Sequence, residues 1–314
     1  MLKTFLIAVV CWLGLPCLAV AQGGYGSALR NSTTFYDYLR DPALSSLELS
    51  PNGRWLAGVK LNHEGIFVFV SDLDDPEAAT LHSPFDESTF VNWVEWANDD
   101  WLIASVTVYG TLDGQIYTRD GLNYYTFTDF ETMPIPVTRL FLIRRDGKAV
   151  QRVFEGVKSL EKRNLNLGRI VSFLPGDPDH FLVAATLRGD LDLFRVQVST
   201  GEHERIGVGR NGTVGWFADI NGQPAFRVDV NRRGTRYTYY GRQEKPNGKS
   251  SWKRLKSVRA DERAETIKQS TEFRPLSPGA VTGTYYVAAR PAGAATTGIY
   301  LYNFTADEFV RPIK

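Results

Sequence analysis

The sequence predicts an all-β protein assembled from repeated four-stranded antiparallel units, and three observations carry that prediction. First, "LELSPNGRWLAGV" (Leu47 to Val59) sets Ser-Pro-Asn-Gly between two runs in which apolar and polar residues alternate, the period of a strand with unlike faces. Second, the same order of strand, polar turn and strand returns in "VEWANDDWLIASV" (Val94 to Val106), "SFLPGDPDHFLVAA" (Ser172 to Ala185), "VGWFADINGQPAFRV" (Val214 to Val228) and "FRPLSPGAVTGTYYVAA" (Phe273 to Ala289). Third, each copy is followed by a third strand and usually a fourth, as in "GIFVFVSDL", "RLFLIRRDGKAVQRVF" and "LDLFRVQVSTGEHERIG". Asp146-Gly147 and Ser199-Thr200-Gly201 read as hairpin tips.

Taken in chain order, the first element is an address. Lys3 precedes the apolar run "FLIAVVCWLGLPCLAVA", which is short for a membrane span and ends in Ala19-Val20-Ala21, a small-x-small site for signal peptidase. Residues 1–21 are therefore expected to be a signal peptide cleaved after Ala21, giving an exported, periplasmic or secreted protein with no integral membrane span. Cys11 and Cys17 both lie in this segment, so the processed chain would hold no disulfide, as suits a bacterial periplasm. Residues 22–44 read as an extension containing one short helix, "TTFYDYLRD", in which Phe35, Tyr38 and Leu39 share a face.

The repeats occupy residues 45–314. Leu49, Trp96, Leu174, Trp216 and Leu276 precede the five turns at spacings of 47, 78, 42 and 60 residues. Four antiparallel strands recurring roughly every 40 to 50 residues are the signature of β-propeller blades. Blades are expected at about 45–88, 89–158, 168–210, 212–258 and 270–314. The long second interval needs an excursion, placed at 106–139 and projecting from the second blade as an extended hairpin or long loop, which is rich in Tyr, Thr, Gly and Asp. Long loops on a rigid scaffold tend to carry binding, which makes Tyr109, Tyr117, Tyr124 and Tyr125 the candidate binding residues; packing of their rings onto their own blade is the competing reading.

Composition narrows the partners. The chain has 36 Lys plus Arg against 35 Asp plus Glu, leaving no net field to gather nucleic acid. Seven basic residues in "RQEKPNGKSSWKRLKSVR" are followed at once by "ADERAE", the pattern of a solvated hairpin. No phosphate-binding or dinucleotide glycine motif occurs, and four scattered histidines without cysteine offer no metal-ligand spacing. Neither cofactor nor metal is expected.

In their order, "LELSPNGRWLAGV", "WVEWANDDWLIAS", "LPGDPDHFLVAA" with "LFRVQVSTGE", and "VGWFADINGQPAFRVDVNRRGTRYTYYGR" with "SSWKRL" resemble the propeller of exported bacterial serine peptidases of the prolyl oligopeptidase family, from about Phe35 onward. The resemblance implies a propeller, usually seven-bladed, and after it an α/β-hydrolase domain holding a Ser-Asp-His triad. Five visible blades would then be an incomplete seven-bladed ring. A nucleophile elbow requires Gly-x-Ser-x-Gly, and the nearest strings, "GYGSA" at Gly24 and "GKSSW" at Gly248, lack the second glycine. His63, His82, His180 and His203 fall near turns or strand ends with no candidate nucleophile beside them. No catalytic residue is assigned.

Two readings of function follow. In the first, the chain is the non-catalytic propeller portion of such a peptidase, gating peptide substrates and docking a separate α/β-hydrolase domain. In the second, it is a free-standing periplasmic propeller that binds peptide or protein. Both require export, and mass spectrometry of the chain produced in a Gram-negative host is expected to find Gln22 at the N-terminus; a membrane-bound product retaining Met1 would contradict it.

Overall fold

The computed structural model describes residues 44–313 apart from 63–64, 79, 83–87, 111–115, 118–132, 245–249 and 260–272. The expected signal peptide and the short helix near residue 35 lie outside the described residues, which belong to the unit Pro42–Lys314. Each of the five copies opens one antiparallel sheet whose four main strands lie side by side in chain order, the second sheet adding one short strand off that path. The first sheet holds β1 (Leu44–Leu49), β2 (Trp55–Asn62), β3 (Gly65–Asp72) and β4 (Thr80–His82), with a 3₁₀ turn at Pro76–Ala78. The second holds β5 (Thr89–Trp96), β6 (Trp101–Gly110), the two-residue β7 (Ile116–Tyr117), β8 (Ile135–Arg144) and β9 (Val150–Arg152). After the one-turn helix α1 (Lys158–Glu161) comes the third, β10 (Ile170–Ser172), β11 (His180–Leu187), β12 (Asp190–Gln197) and β13 (His203–Gly207). The fourth comprises β14 (Thr213–Ala218), β15 (Pro224–Val230), β16 (Arg236–Glu244) and β17 (Ser250–Arg259). The fifth comprises β18 (Phe273–Pro278), β19 (Thr284–Ala289), β20 (Gly298–Asn303) and β21 (Glu308–Pro312). Four-stranded sheets that meet face to face in series give the propeller-like, nearly all-β architecture.

The opening turn shows why these residues reverse the chain. Gly53 donates to Ser50 O at 2.8 Å and adopts φ +75°, which costs glycine no Cβ clash. Asn52 Oδ1 accepts from the Arg54 amide, while the Ser50 hydroxyl accepts from the Trp55 amide and donates to Asn52. Turns at this position also bind sheet to sheet. The Asn52 amide donates to Asp99 in the second sheet's turn, Asn98 Nδ2 donates to Pro178 O in the third's, and Asn221 Nδ2 donates to Thr282 in the fifth's. Between the third and fourth turns the tie is steric: a Cβ on Gly222 (φ +73°) would lie 2.9 Å from Leu174 Cδ2.

Four apolar clusters fill the four junctions. Ala57, Val59, Val68 and Val70 of the first sheet meet Val94, Trp96, Leu102 and Val106 of the second. Leu140, Leu142 and Phe154 of the second region meet Phe181, Phe194 and Val196 of the third. Trp216 and Ala218 of the fourth sheet pack on Leu182, Ala184 and Leu193 of the third. Phe226, Val228 and Tyr239 meet Phe273, Tyr285, Val287 and Tyr302 at the last junction, where rings stand edge to face at centroid distances of 5.1 to 5.2 Å between Tyr239 and Phe273 and between Phe273 and Tyr302. Two indole N–H groups cross between sheets, Trp96 to Glu48 O at 3.0 Å and Trp216 to Leu191 O at 2.8 Å.

In all five sheets the pairing of first and second strands is interrupted by a register shift: Ser45/Glu48, Val91/Trp93, Ile170/Ser172, Thr213/Gly215 and Pro275/Ser277. A bulge bends its strand and raises the local twist. In sheet two the segment 106–139, expected as an extended hairpin or long loop, begins as a hairpin: β6 and β8 stay paired outward as far as Tyr109 with Pro136 and Gly110 with Ile135. The hairpin itself lengthens there, and most of its distal segment lies outside the described residues.

One buried charge pair stands in the third junction. Arg227 is 2% exposed, donates from Nε and Nη2 to both Asp229 carboxylate oxygens at 2.9 Å, and lies against the rings of Tyr240 and Trp252. Removing one member of a buried pair strands the other charge. Arg227→Met is expected to cost about 3–5 kcal/mol in chemical unfolding, and the further change Asp229→Leu is expected to recover most of the loss.

Candidate functional site

The first strands of sheets three, four and five converge, and between them lies a cleft of about 410 Å³, within the usual range for small-ligand sites. Ser172 closes one side from β10, Phe217 another from β14, and the run Arg274 to Pro278 of β18 forms the third, with Tyr285 beneath. Proline is tolerated in a sheet only where no ladder donor is needed. Pro275 and Pro278 both sit on β18, whose one ladder neighbour is β19, so the donorless side of the strand faces the cleft. Arg169 Nη2 donates to Val214 O at 3.1 Å and holds the approaches of the third and fourth sheets together.

The walls mix polar and apolar surface in about equal measure, Phe217, Tyr285 and the two prolines standing beside Arg274 and the hydroxyls of Ser172 and Ser277. Ser172 Oγ accepts from the Leu174 amide at 3.1 Å, which leaves its own proton available. Burial, reinforced by the charge of Asp219, pushes the Tyr285 phenol well above the ordinary tyrosine range, so it stays neutral. No carboxylate, imidazole or thiol is among the lining residues. Such a cleft suits holding an apolar or proline-bearing segment with an anionic group.

The sequence-derived candidates lie elsewhere. Tyr109, next to last in β6, is half-buried with its ring edge-on to Phe90 at 5.1 Å, and it pairs in register with Tyr117 of β7. The structure thus brings Tyr109 and Tyr117 to adjacent strands; Tyr124 and Tyr125 lie outside the described residues. The cleft had a faint signal in "FRPLSP", since two prolines in a strand call for a free edge, but nothing in that string names β10 or β14 as its partners.

A second polar cluster has the appearance of chemistry. In the turn before β11, His180 Nδ1 lies 3.0 Å from Asp177 Oδ1 and therefore carries the proton that the carboxylate accepts. Arg195 of β12 donates to Asp177 from the other side. The hydrogen-bond partners of this imidazole among the described residues are Asp177 and Arg195; the arrangement ties turn to strand. Burial would raise the Asp177 carboxyl, but His180 and Arg195 together hold it below the usual carboxylate range. A depressed carboxyl contributes stability that is complete above the unfolded-chain value of about 4 and fades as pH falls through the lower folded value. Thermal melts are therefore expected to show Asp177→Asn less stable than the parent at pH 7, with the difference shrinking steadily below about pH 4; an undiminished difference at pH 3 would show that charge is not the cause.

No family model matches the sequence, and no curated protein does. Among solved structures, the chain is similar to an acylaminoacyl peptidase in complex with Z-Gly-Gly-Phe-chloromethyl ketone, at 14% identity and a TM-score of 0.39 over 84% of this chain and 38% of that one. It is similar to TolB from Acinetobacter baumannii, at 13% identity and a TM-score of 0.37 over 86% of this chain and 53% of that one. It is also similar to the β-propeller domain of the Trilobed protease from Pyrococcus furiosus, at 13% identity and a TM-score of 0.38 over 86% and 69% of the two chains. The chain spans well under two thirds of the length of the first two.

Proposed function

We propose that this chain is the peptide-holding, non-catalytic propeller portion of an exported peptidase of the prolyl oligopeptidase kind, and that it docks an α/β-hydrolase domain which performs the chemistry. The observation that carries the reading is the cleft where β10, β14 and β18 converge: walls of mixed polarity with aromatic rings and two prolines, one guanidinium, and no carboxylate, imidazole or thiol among the lining residues. The order of turn motifs supports the family context. A peptide laid in the cleft buries apolar side chains against Phe217 and Leu276 and sets a carboxylate near Arg274, while Ser172 and Ser277 are placed to meet its backbone.

The test uses fluorescence polarisation of labelled proline-containing peptides bearing a free C-terminal carboxylate. Ser277 is exposed and lines the cleft, so Ser277→Trp narrows it without disturbing a core. Binding is expected to fall by roughly tenfold or more in Ser277→Trp and to be unchanged in Tyr109→Ala. The reverse pattern would move the site to the sheet-two hairpin, and absence of binding by the parent chain would overturn the reading.

A further inference from the structure

Four Asn-Gly pairs occur in the sequence, at Asn52, Asn211, Asn221 and Asn247; Asn247 lies outside the described residues, and the fold treats the other three differently. The pair matters chemically because glycine has no side chain to shield its amide nitrogen. That nitrogen can attack the side-chain carbonyl carbon of the asparagine before it, expel ammonia and close a succinimide ring. Water then opens the ring at either carbonyl, leaving aspartate or isoaspartate. The attack needs a free asparagine side chain and a glycine amide that is not held by an acceptor. At Asn52 and Asn221 both conditions fail. Each of these asparagines stands just before the last residue of its turn, so the glycine amide closes the turn: Gly53 N donates to Ser50 O at 2.8 Å and Gly222 N to Asp219 O at 3.0 Å. The side chains are occupied as well, Asn52 Oδ1 by the Arg54 amide and the Ser50 hydroxyl, Asn221 Nδ2 by Thr282. At Asn211 the turn is set one residue later. The Thr213 amide donates to Arg210 O at 2.8 Å and the Arg210 amide returns to Thr213 Oγ1 at 2.8 Å, which puts Asn211 and Gly212 at the two corners. The amide between two corners does not close its own turn. Asn211 is exposed, and among the described residues neither its side chain nor the Gly212 amide has a hydrogen-bond partner.

We infer that Asn211 is the one of these three asparagines that forms succinimide in the folded chain, and that its isoaspartyl product loosens the junction between sheets three and four. The turn lies on the connection from β13 to β14. Isoaspartate routes the backbone through the former side chain and so inserts an extra methylene between Arg210 and Thr213, whose two mutual hydrogen bonds fit a chain of normal length. The surroundings leave little room to absorb it: the Gly212 carbonyl accepts from the Val230 amide at 2.7 Å, and a Cβ on Gly212 would lie 2.5 Å from Val230 O. Thr213 Oγ1 also donates to Asp229 at 2.8 Å, and Asp229 holds the buried Arg227 guanidinium. A displaced Thr213 therefore withdraws a partner from a buried charge pair, where lost hydrogen bonds are costly.

The test is to age the purified, folded chain in mildly alkaline buffer, digest it and map the peptides by mass spectrometry, with isoaspartyl methyltransferase as an independent probe for the isomer. The peptide carrying Asn211 is expected to convert roughly tenfold faster than those carrying Asn52 and Asn221, the effect of one or two protecting hydrogen bonds. In denaturant the three turns are lost, and the three rates are expected to converge. Asn211→Gln, whose longer side chain closes the ring far more slowly, should remove the fast site. The aged parent is expected to melt below both the fresh chain and Asn211→Asp, which adds the charge without the extra methylene. Equal rates at the three sites in the folded chain, a rate order that unfolding leaves unchanged, or conversion of Asn52 or Asn221 while Asn211 stays intact would overturn the site. Aged chain rich in isoaspartate at Asn211 that melts with Asn211→Asp would overturn the effect on the junction.

Discussion

A four-stranded sheet with two apolar faces has to be covered twice, and that requirement organises this molecule. Sheet two shows it most plainly: Leu102 and Val106 point to the first sheet, while Ile103, Leu140 and Leu142 point to the third. Sheets three and four are treated the same way, each contributing to two clusters. None of these sheets is a stable object alone, because an isolated sheet would leave at least one apolar face in water. Stability is therefore a property of junctions. The polar turns act within that constraint: the ties from Asn52, Asn98 and Asn221 to the next turn are single hydrogen bonds, too weak to hold sheets together but enough to fix how far one face slides over the next.

Packing in series also dictates what happens along the first strands. These strands converge, as the cleft between β10, β14 and β18 requires, and each has one ladder partner and one free edge. Free edges are a hazard for uncontrolled pairing. Here every first strand carries a register shift against its partner, and β18 adds two prolines. Both devices spoil the edge as a template. The same irregularity keeps converging strands from closing on one another, so the room that becomes the cleft and the protection of the edges have one physical origin.

How much of this was legible in the sequence follows from the range of each signal. The five turns were readable because Ser50, Pro51, Asn52 and Gly53, or their counterparts, act within a few residues of one another, and strand period is equally local. The cleft was not, because Ser172, Phe217 and Arg274 come from three separate copies and only packing brings them together. The excursion was visible as an interval too long for one blade, and "VTVYG" is rich enough in β-branched and aromatic residues to open it as a strand, as β6 does to Gly110. Tyr109 sets its ring edge-on to Phe90, a contact that no count of tyrosines reveals.

Strand β15 shows how one short string can instruct two junctions at once. In "PAFRVDV" the side chains alternate, sending Phe226 and Val228 to the aromatic cluster shared with sheet five and Arg227 and Asp229 toward Trp216 and Trp252 at the junction with sheet three. An apolar strand would tolerate a one-residue slip, since either face would find oil. This one does not. A slip would drive the Arg227–Asp229 ion pair among the rings of Phe273, Tyr285 and Tyr302, and would put Val228 or Val230 where Thr213 Oγ1 donates to Asp229. The buried pair adds little or nothing to net stability compared with well-packed hydrophobes. Its effect is to make the wrong register expensive. Because β15 lies inside its sheet, between β14 and β16, fixing its register fixes theirs, and with them the position at which Phe217 reaches the cleft.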